Sequence, residues 1–323
     1  MTTIHDDEGV VPVATIGVQT MMLRDEFATH GLFETFRKVR EIGYRAAEIS
    51  MVEMSPANVA ELARVRDELG VEIASVSGGL TAPRGGESLT THFDKFVADA
   101  HELGAGMIRI GMLPAAAMAS PRTVEDFADR CNEVAARLAE HGIRLYYHNH
   151  HVDFARYDGR YLLDVVAERS PLVGFEIDVH WVQRGGLDPV ATLRKYAGRV
   201  AMVHLKDYRI GRMPVAVFEA LDAGDQGPWQ EELKQIVQFA EVGEGNLDWR
   251  AIVDESVAIG AEYLLVEQDE HYGRTALECL QTSYDNLVAL GYGDLFAPGG
   301  ASRSLRKSSS AASPGSSRAP QSA

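Results

Sequence analysis

Short apolar runs rich in Val, Ile and Leu alternate along the chain with longer stretches of helical periodicity, and the alternation repeats eight times. Such a repeat indicates βα units that build a parallel sheet. Strands are expected near Thr15–Gln19, Ala46–Ser50, Glu72–Ser77, Met107–Gly111, Arg144–Asn149, Val173–Asp178, Val200–Lys206 and Tyr263–Glu267. Helices are expected over Leu32–Ile42, Pro56–Leu69, Leu89–Leu103, Thr123–His141, Arg160–Arg169, Pro189–Tyr196, Trp249–Ile259 and Arg274–Leu290. Gly43, Gly70, Gly104, Gly142, Gly174, Gly198 and Gly260 fall at the helix-to-strand junctions. A left-handed residue there ends a helix without steric cost. Eight units in about 280 residues predict an α/β fold, a single (β/α)8 TIM barrel, rather than a doubly wound sheet. The latter usually carries a glycine-rich turn after its first strand, and here that strand ends in Gln19-Thr20-Met21.

The expected division is a flexible N-terminus over 1–12, the barrel over 13–295, and a disordered Ser/Ala/Pro-rich tail over 296–323. From Pro298 onward the chain turns to Ser, Ala, Pro and Gly, with Arg303, Arg306, Lys307 and Arg318 and no acids. Such a composition does not pack a core. The formal net charge is −16, and setting these four cations aside leaves −20 for the rest. A body this acidic disfavours nucleic acid and anionic membranes as partners. Cys131 and Cys279 are the only cysteines, so a disulfide framework is not expected and both thiols read as packing residues. The polar start lacks the basic and apolar regions of a signal peptide, and no apolar run is long enough to span a membrane. A cytoplasmic location is therefore expected.

Function in a barrel sits at the carboxyl ends of the strands. Strand two carries Glu48 there, strand five His148-Asn149-His150-His151, and strand six Glu176-Ile177-Asp178-Val179-His180. Strand seven ends in His204-Leu205-Lys206-Asp207 and strand eight in Glu267-Gln268-Asp269. Burying such groups unpaired is costly. Alternation puts His148 with His150, Glu176 with Asp178 and His180, and His204 with Lys206 on common faces. Any one of these histidines alone reads as a structural residue. Together at consecutive strand ends they point to a divalent metal, and mixed nitrogen and oxygen donors suit Mn, Co, Fe or Zn better than Mg.

The motifs Ala47-Glu48-Ile49, Tyr147-His148-Asn149-His150, Ile177-Asp178-Val179-His180-Trp181 and Val203-His204-Leu205-Lys206-Asp207 follow in order. Val242-Gly243-Glu244-Gly245 with Asp248-Trp249, and Val266-Glu267-Gln268-Asp269, complete the series. In this spacing, from about Ala14 to Leu290, the chain resembles the xylose isomerase-like barrels, the sugar phosphate isomerase/epimerase superfamily that includes inosose dehydratases. The resemblance implies Asp178, His204 and Glu267 as metal ligands. Many relatives have a glutamate at the position of His148, so the resemblance leaves His148, His150 or Glu176 as the fourth. Gly17-Val18-Gln19-Thr20-Met21-Met22-Leu23, Ala47-Glu48-Ile49-Ser50 with Met54-Ser55-Pro56, and the two-histidine motif are similar to the large subunit of C-glycoside deglycosidases. This implies a small second subunit, with the Gln19-Thr20 region and the long Tyr208–Phe239 connection as its contacts; a homo-oligomer is the other assembly considered. No glycine-rich phosphate cradle is present to support a phosphorylated substrate.

The implied chemistry is removal of a proton next to the carbonyl of a small carbohydrate, the metal, Mn first, polarising that carbonyl. Glu176, His150 and Glu48 are the candidate bases, and Lys206 the candidate proton donor or oxyanion partner. The bland alternative for Lys206 and Asp207 is a solvated ion pair, and for Glu244 a turn carboxylate. Tyr147, Trp181 and Trp249 are candidates to stack on a sugar or equally to pack the core. The Tyr208–Phe239 stretch, with Arg209, Arg212, Asp225 and Trp229, is a candidate lid, substrate wall or subunit contact, Arg209 being the substrate-binding candidate within it. The products separate a lyase, on a 3-oxo-sugar or inosose, from a ketose 3-epimerase or aldose–ketose isomerase. An endonuclease on the same barrel needs a basic groove, which the acidic body argues against, and a non-catalytic sugar-binding barrel is the remaining class.

Overall fold

The computed structural model describes residues 14–82 and 86–297. Eight parallel strands close into a barrel in which each neighbours the next in sequence and the last returns to the first. They are β1 (Thr15–Gln19), β2 (Ala46–Ile49), β3 (Glu72–Ser77), β4 (Met107–Ile110), β5 (Arg144–His148), β6 (Gly174–Asp178), β7 (Val200–Leu205) and β8 (Tyr263–Val266). Each lies within one residue of its expected span. The segments 1–12 and 298–323, expected to be flexible and disordered, lie outside the described residues. Phe296, placed in the tail by the expected boundary at 296, belongs instead to the core, edge-on to Tyr44 at 5.2 Å.

The outer helices form where the sequence supplies caps and an apolar stripe. Pro121–Ala139 starts at Ser120, which exchanges hydrogen bonds with Thr123 in a capping box, and buries Val124, Phe127, Ala128, Cys131, Val134, Ala135 and Leu138. These recur at intervals of three and four, the spacing of one helical face. Gly70 and Gly104 end their helices at φ of 63° and 67°, as the junction pattern predicts. Gly174 departs from that pattern. It is a strand residue without positive φ, and its bareness admits the Tyr146 ring, which a Cβ there would meet at 2.2 Å.

Strand alternation divides the interior into layers. Met107, Tyr146, Ala201, Met202 and Leu265 form a small apolar cluster apart from the main core. Two residues further along the same faces come Arg109, His148, His204 and Glu267, all buried. The interior thus changes from apolar to polar toward the carboxyl ends. Intervening residues such as Tyr147, Ile177, Val203 and Leu205 pack in the main core.

The 208–239 connection is a structured excursion. Asp207–Ile210 pairs antiparallel with Val237–Ala240, and between them stand two helices, Val215–Asp222 and Gly227–Gln235. The second of these helices buries no residue. Among the described residues, no helix is long and apolar enough to cross a membrane.

Candidate metal centre

His148, Asp178, His204 and Glu267 bring ligand atoms to within 4.8 Å of one another. His204 Nδ1 stands 2.7 Å from Glu267 Oε2 and 3.7 Å from Asp178 Oδ2, and His148 Nε2 lies 3.5 Å from that same Asp178 oxygen. These four atoms are buried and none makes a hydrogen bond. Buried polar atoms are nearly always satisfied, so four such atoms converging on one point suit a shared cationic partner. A divalent cation fits, since two carboxylates neutralise it and two imidazoles complete the donor set.

The other polar atom of each ligand is held by the protein. His148 Nδ1 lies 3.0 Å from the Gly111 carbonyl, which makes Nδ1 the protonated nitrogen and leaves the Nε2 lone pair inward. Asp178 Oδ1 accepts from the Trp181 amide at 3.0 Å and caps the helix Val179–Arg184. His204 Nε2 lies 3.1 Å from Glu48 Oε2. Gln19 Nε2 donates to Glu267 Oε1 at 3.1 Å. Such contacts orient metal-binding side chains and raise their basicity.

Charge organises the surroundings. Burial opposes the Asp178 and Glu267 charges, but Lys206 and the imidazoles override it. Asp178 is held well below the usual carboxylate range and Glu267 at about 2. Lys206 is 2% exposed, its Nζ 2.7 Å from Asp269 Oδ1 and 3.6 Å from Glu267 Oε2. The same Nζ lies 4.8 Å from the Trp181 ring and 5.3 Å from Phe239. Burial followed by the neighbouring Glu48 charge pushes the Glu176 carboxyl up to about 8. Burial and then His148 lower His150 to about 3.

His150 is half-buried, its ring 4.7 Å from His148 and stacked on Trp181 at 5.4 Å. Glu48 and Glu176 are wholly enclosed and both reach His204 Nε2 at 3.1 Å. Glu48 is ion-paired with Arg109, a residue the sequence reading passed over. A cation inside the apolar run Met107–Ile110 was the available signal, since an unpaired one would be costly. Phe239 was missed because its place beside Lys206 depends on the excursion folding back.

Several expectations are corrected. Tyr147 is not at the mouth: it is fully buried, with its hydroxyl on Asp153 at 2.9 Å and its ring edge-on to Phe127. His180 leaves the common face with Asp178, because the strand becomes helix at Val179, and its ring stacks on Phe239 at 4.9 Å. Trp249 is core, donating from its indole to Asp207 at 2.6 Å. Lys206 and Asp207 are both buried, so they are not a solvated pair. Gln19 and Thr20 are buried too, Thr20 bonded to the Ser50 carbonyl at 2.8 Å, and offer no partner surface. Arg209 sits on the excursion, 3.2 Å from Gln238 and 5.8 Å from the Tyr272 ring, and is not part of the cluster. Glu244, by contrast, stays near its turn as the sequence reading favoured, 3.1 Å from Asn286.

The sequence matches the family described as xylose isomerase-like TIM barrel over residues 36–296. The chain belongs to that family. It is 30% identical over 149 residues to the rhizopine catabolism protein MocC of Rhizobium meliloti, a match spanning 45% of this chain and 43% of that protein. In fold it is similar to a sugar phosphate isomerase/epimerase from Parabacteroides distasonis, with a TM-score of 0.65 and 19% identity. That likeness covers 90% of this chain and 98% of the other. An L-ribulose 3-epimerase gives a TM-score of 0.59 at 16% identity over 87% of this chain and 95% of its own.

Proposed function

We propose that the protein is a metal-dependent carbohydrate-active enzyme that removes a proton next to a sugar carbonyl and expels a β-substituent, acting on a 3-oxo-sugar or an inosose. The observation that carries this reading is the set of four unpaired ligand atoms on His148, Asp178, His204 and Glu267, flanked by His150 and Lys206. A bound divalent cation, Mn before Co, Fe, Zn or Mg, supplies Lewis-acid polarisation of the carbonyl.

Geometry favours His150 as the proton acceptor, because Glu48 and Glu176 lie enclosed behind His204 while His150 stays part-exposed with an unpartnered Nδ1. Lys206 is the donor to the departing group. Trp181 lies against both residues and is the aromatic side chain placed to border a bound sugar. An imidazole and an ammonium are suited to taking one proton and giving another, as elimination requires. Ile210, Val215, Phe218 and Leu233 are exposed on the excursion, and this apolar face supports a small second subunit or a second copy as partner. The compartment proposed is the cytoplasm.

The test is incubation of metal-replete protein in deuterated water with inososes, ketohexoses and 3-oxo-glucosides, with and without a co-encoded small protein. Loss of the β-substituent supports the lyase. Deuterium uptake without that loss would instead make the protein a ketose epimerase or isomerase. No exchange on any carbonyl sugar would sink the catalytic reading and leave a sugar-binding barrel.

A further inference from the structure

Beneath the metal cluster lies a second buried group. Glu48, Glu176 and His204 also bring ligand-type atoms to within 4.8 Å of one another, and a guanidinium lies against them. Arg109 is 5% exposed. Its Nε is 2.6 Å from Glu48 Oε1 and 3.3 Å from Glu176 Oε2, and its Nη2 is 3.0 Å from Ser50 Oγ. The remaining oxygens, Glu48 Oε2 and Glu176 Oε1, each stand 3.1 Å from His204 Nε2. The contacts therefore run from guanidinium through two carboxylates to one imidazole, whose other nitrogen faces Asp178 and Glu267.

Gly111 makes room for this arrangement. A Cβ there would lie 2.3 Å from Arg109 Nη1, and the carbonyl of the same residue accepts from His148 Nδ1. One bare residue thus both admits the guanidinium and orients a metal ligand.

We propose that Arg109 is a positioning residue of the metal centre: a built-in cation that stands where a second metal ion would otherwise be needed and holds Glu48 and Glu176 against His204 Nε2, keeping Nδ1 turned toward the ligand cluster. The physical case is that an enclosed Glu48 carboxylate beside a second carboxyl group needs a cation against it to keep its charge. A planar fork bonds Glu48 and Ser50 and lies against Glu176 at the same time, whereas an ammonium is a single point charge. A carboxylate on the far nitrogen of a metal-binding imidazole fixes its tautomer, and removing such a partner costs about 10–100-fold in metal affinity. The inference rests on the metal reading above.

The experiment titrates the full-length apo protein with Mn²⁺, following free Mn²⁺ by electron paramagnetic resonance, with thermal melting of the apo form as the record of folding. The wild type is expected to take one ion per chain. Arg109→Met should lose about 10–100-fold in affinity, and Arg109→Lys should recover part of it. Glu48→Gln should lose a similar factor. Because Arg109 acts through Glu48, the double variant should lose no more than the worse single one. Two ions per wild-type chain, an Arg109→Met affinity within about threefold of wild type, or losses that multiply in the double variant would each overturn the role, against the expected 10–100-fold. If Arg109→Met does not fold, Arg109→Lys and Gly111→Ala, which crowds the guanidinium and keeps its charge, decide the matter. Wild-type affinity in both overturns it. Absence of Mn²⁺ binding by the wild type defeats the metal reading itself, whereas normal binding with indifferent variants defeats only the part assigned to Arg109.

Discussion

Lys206 and Asp207 are consecutive residues whose charged groups serve two separate buried networks. The Lys206 ammonium points to the mouth, 2.7 Å from Asp269. The Asp207 carboxylate instead gathers the amides of Gly243, Gly245 and Leu247 at 3.0–3.3 Å and the Trp249 indole at 2.6 Å. The close approach requires glycine at 245, where a Cβ would lie 2.2 Å from Asp207 Oδ1. The Val242–Trp249 motif is thus a loop wrapped around one carboxylate.

Asp207→Ala is expected to be costly, since it strands several buried donors at once. Each unsatisfied group costs about 1–3 kcal/mol, and the total should reach about 3–5 kcal/mol with partial relaxation. Urea unfolding of the apo protein measures it. A loss below about 1 kcal/mol would mean that water reaches the loop and replaces the carboxylate.

Removal of any one ligand should abolish the stabilisation conferred by metal. Mn²⁺ at about 100 times its Kd adds about 2.7 kcal/mol to a protein that binds it only when folded. His148→Ala, Asp178→Ala, His204→Ala and Glu267→Ala should each flatten the response of the melting temperature to Mn²⁺. His150→Ala should keep it, because His150 lies outside the four-residue cluster. The opposite result for His148 and His150 would exchange their roles.

Turnover should separate the candidate bases. His150→Ala is expected to lower kcat by about 10²–10⁴ with metal retained, the range for removing a positioned proton acceptor. Glu176→Gln, at a carboxyl enclosed below His204, should cost less than about tenfold in kcat once metal is saturating. A larger loss at Glu176 with His150→Ala nearly silent would move proton transfer to the enclosed carboxylate.

Asp153 should make stability fall with pH. Burial raises its carboxyl to about 7 from the usual 3.8, while it accepts from the Tyr147 hydroxyl and the His150 amide. Between those two values the folded chain holds a proton that the unfolded chain releases, so this contribution is complete below the lower value and is lost as pH rises through about 7. The slope is up to about 1.4 kcal/mol per pH unit. The stability of wild type relative to Asp153→Asn, measured by urea unfolding at several pH values, should decline over this window; a difference independent of pH would contradict it.

Much of the fold was legible because it is local. Hydrophobic periodicity marked all eight strands within a residue, and polar groups at the ends of the later strands marked the site. Asp178, His204 and Glu267 came from the resemblance, whereas the place of His148, rather than His150 or Glu176, in the four-residue cluster needed the coordinates. The reason is geometric: His148 is the last residue of its strand, while His150 follows its end, and Glu176 lies two residues deeper than Asp178.

The sequence by itself determined the repeat, the positions of the strands, and which residues within a strand share a face, since a strand has period two whatever surrounds it; His180, past the end of its strand, escaped that rule. Closure of the barrel decided which face turns inward, and with it the fates of Tyr147, directed toward the helices, and Arg109, directed into the interior. It also joined Glu48 to His204, 156 positions apart along the chain. That contact crosses the barrel interior between strands that are not neighbours, so it depends on closure and on the register of every strand between them, about which periodicity within one strand carries no information.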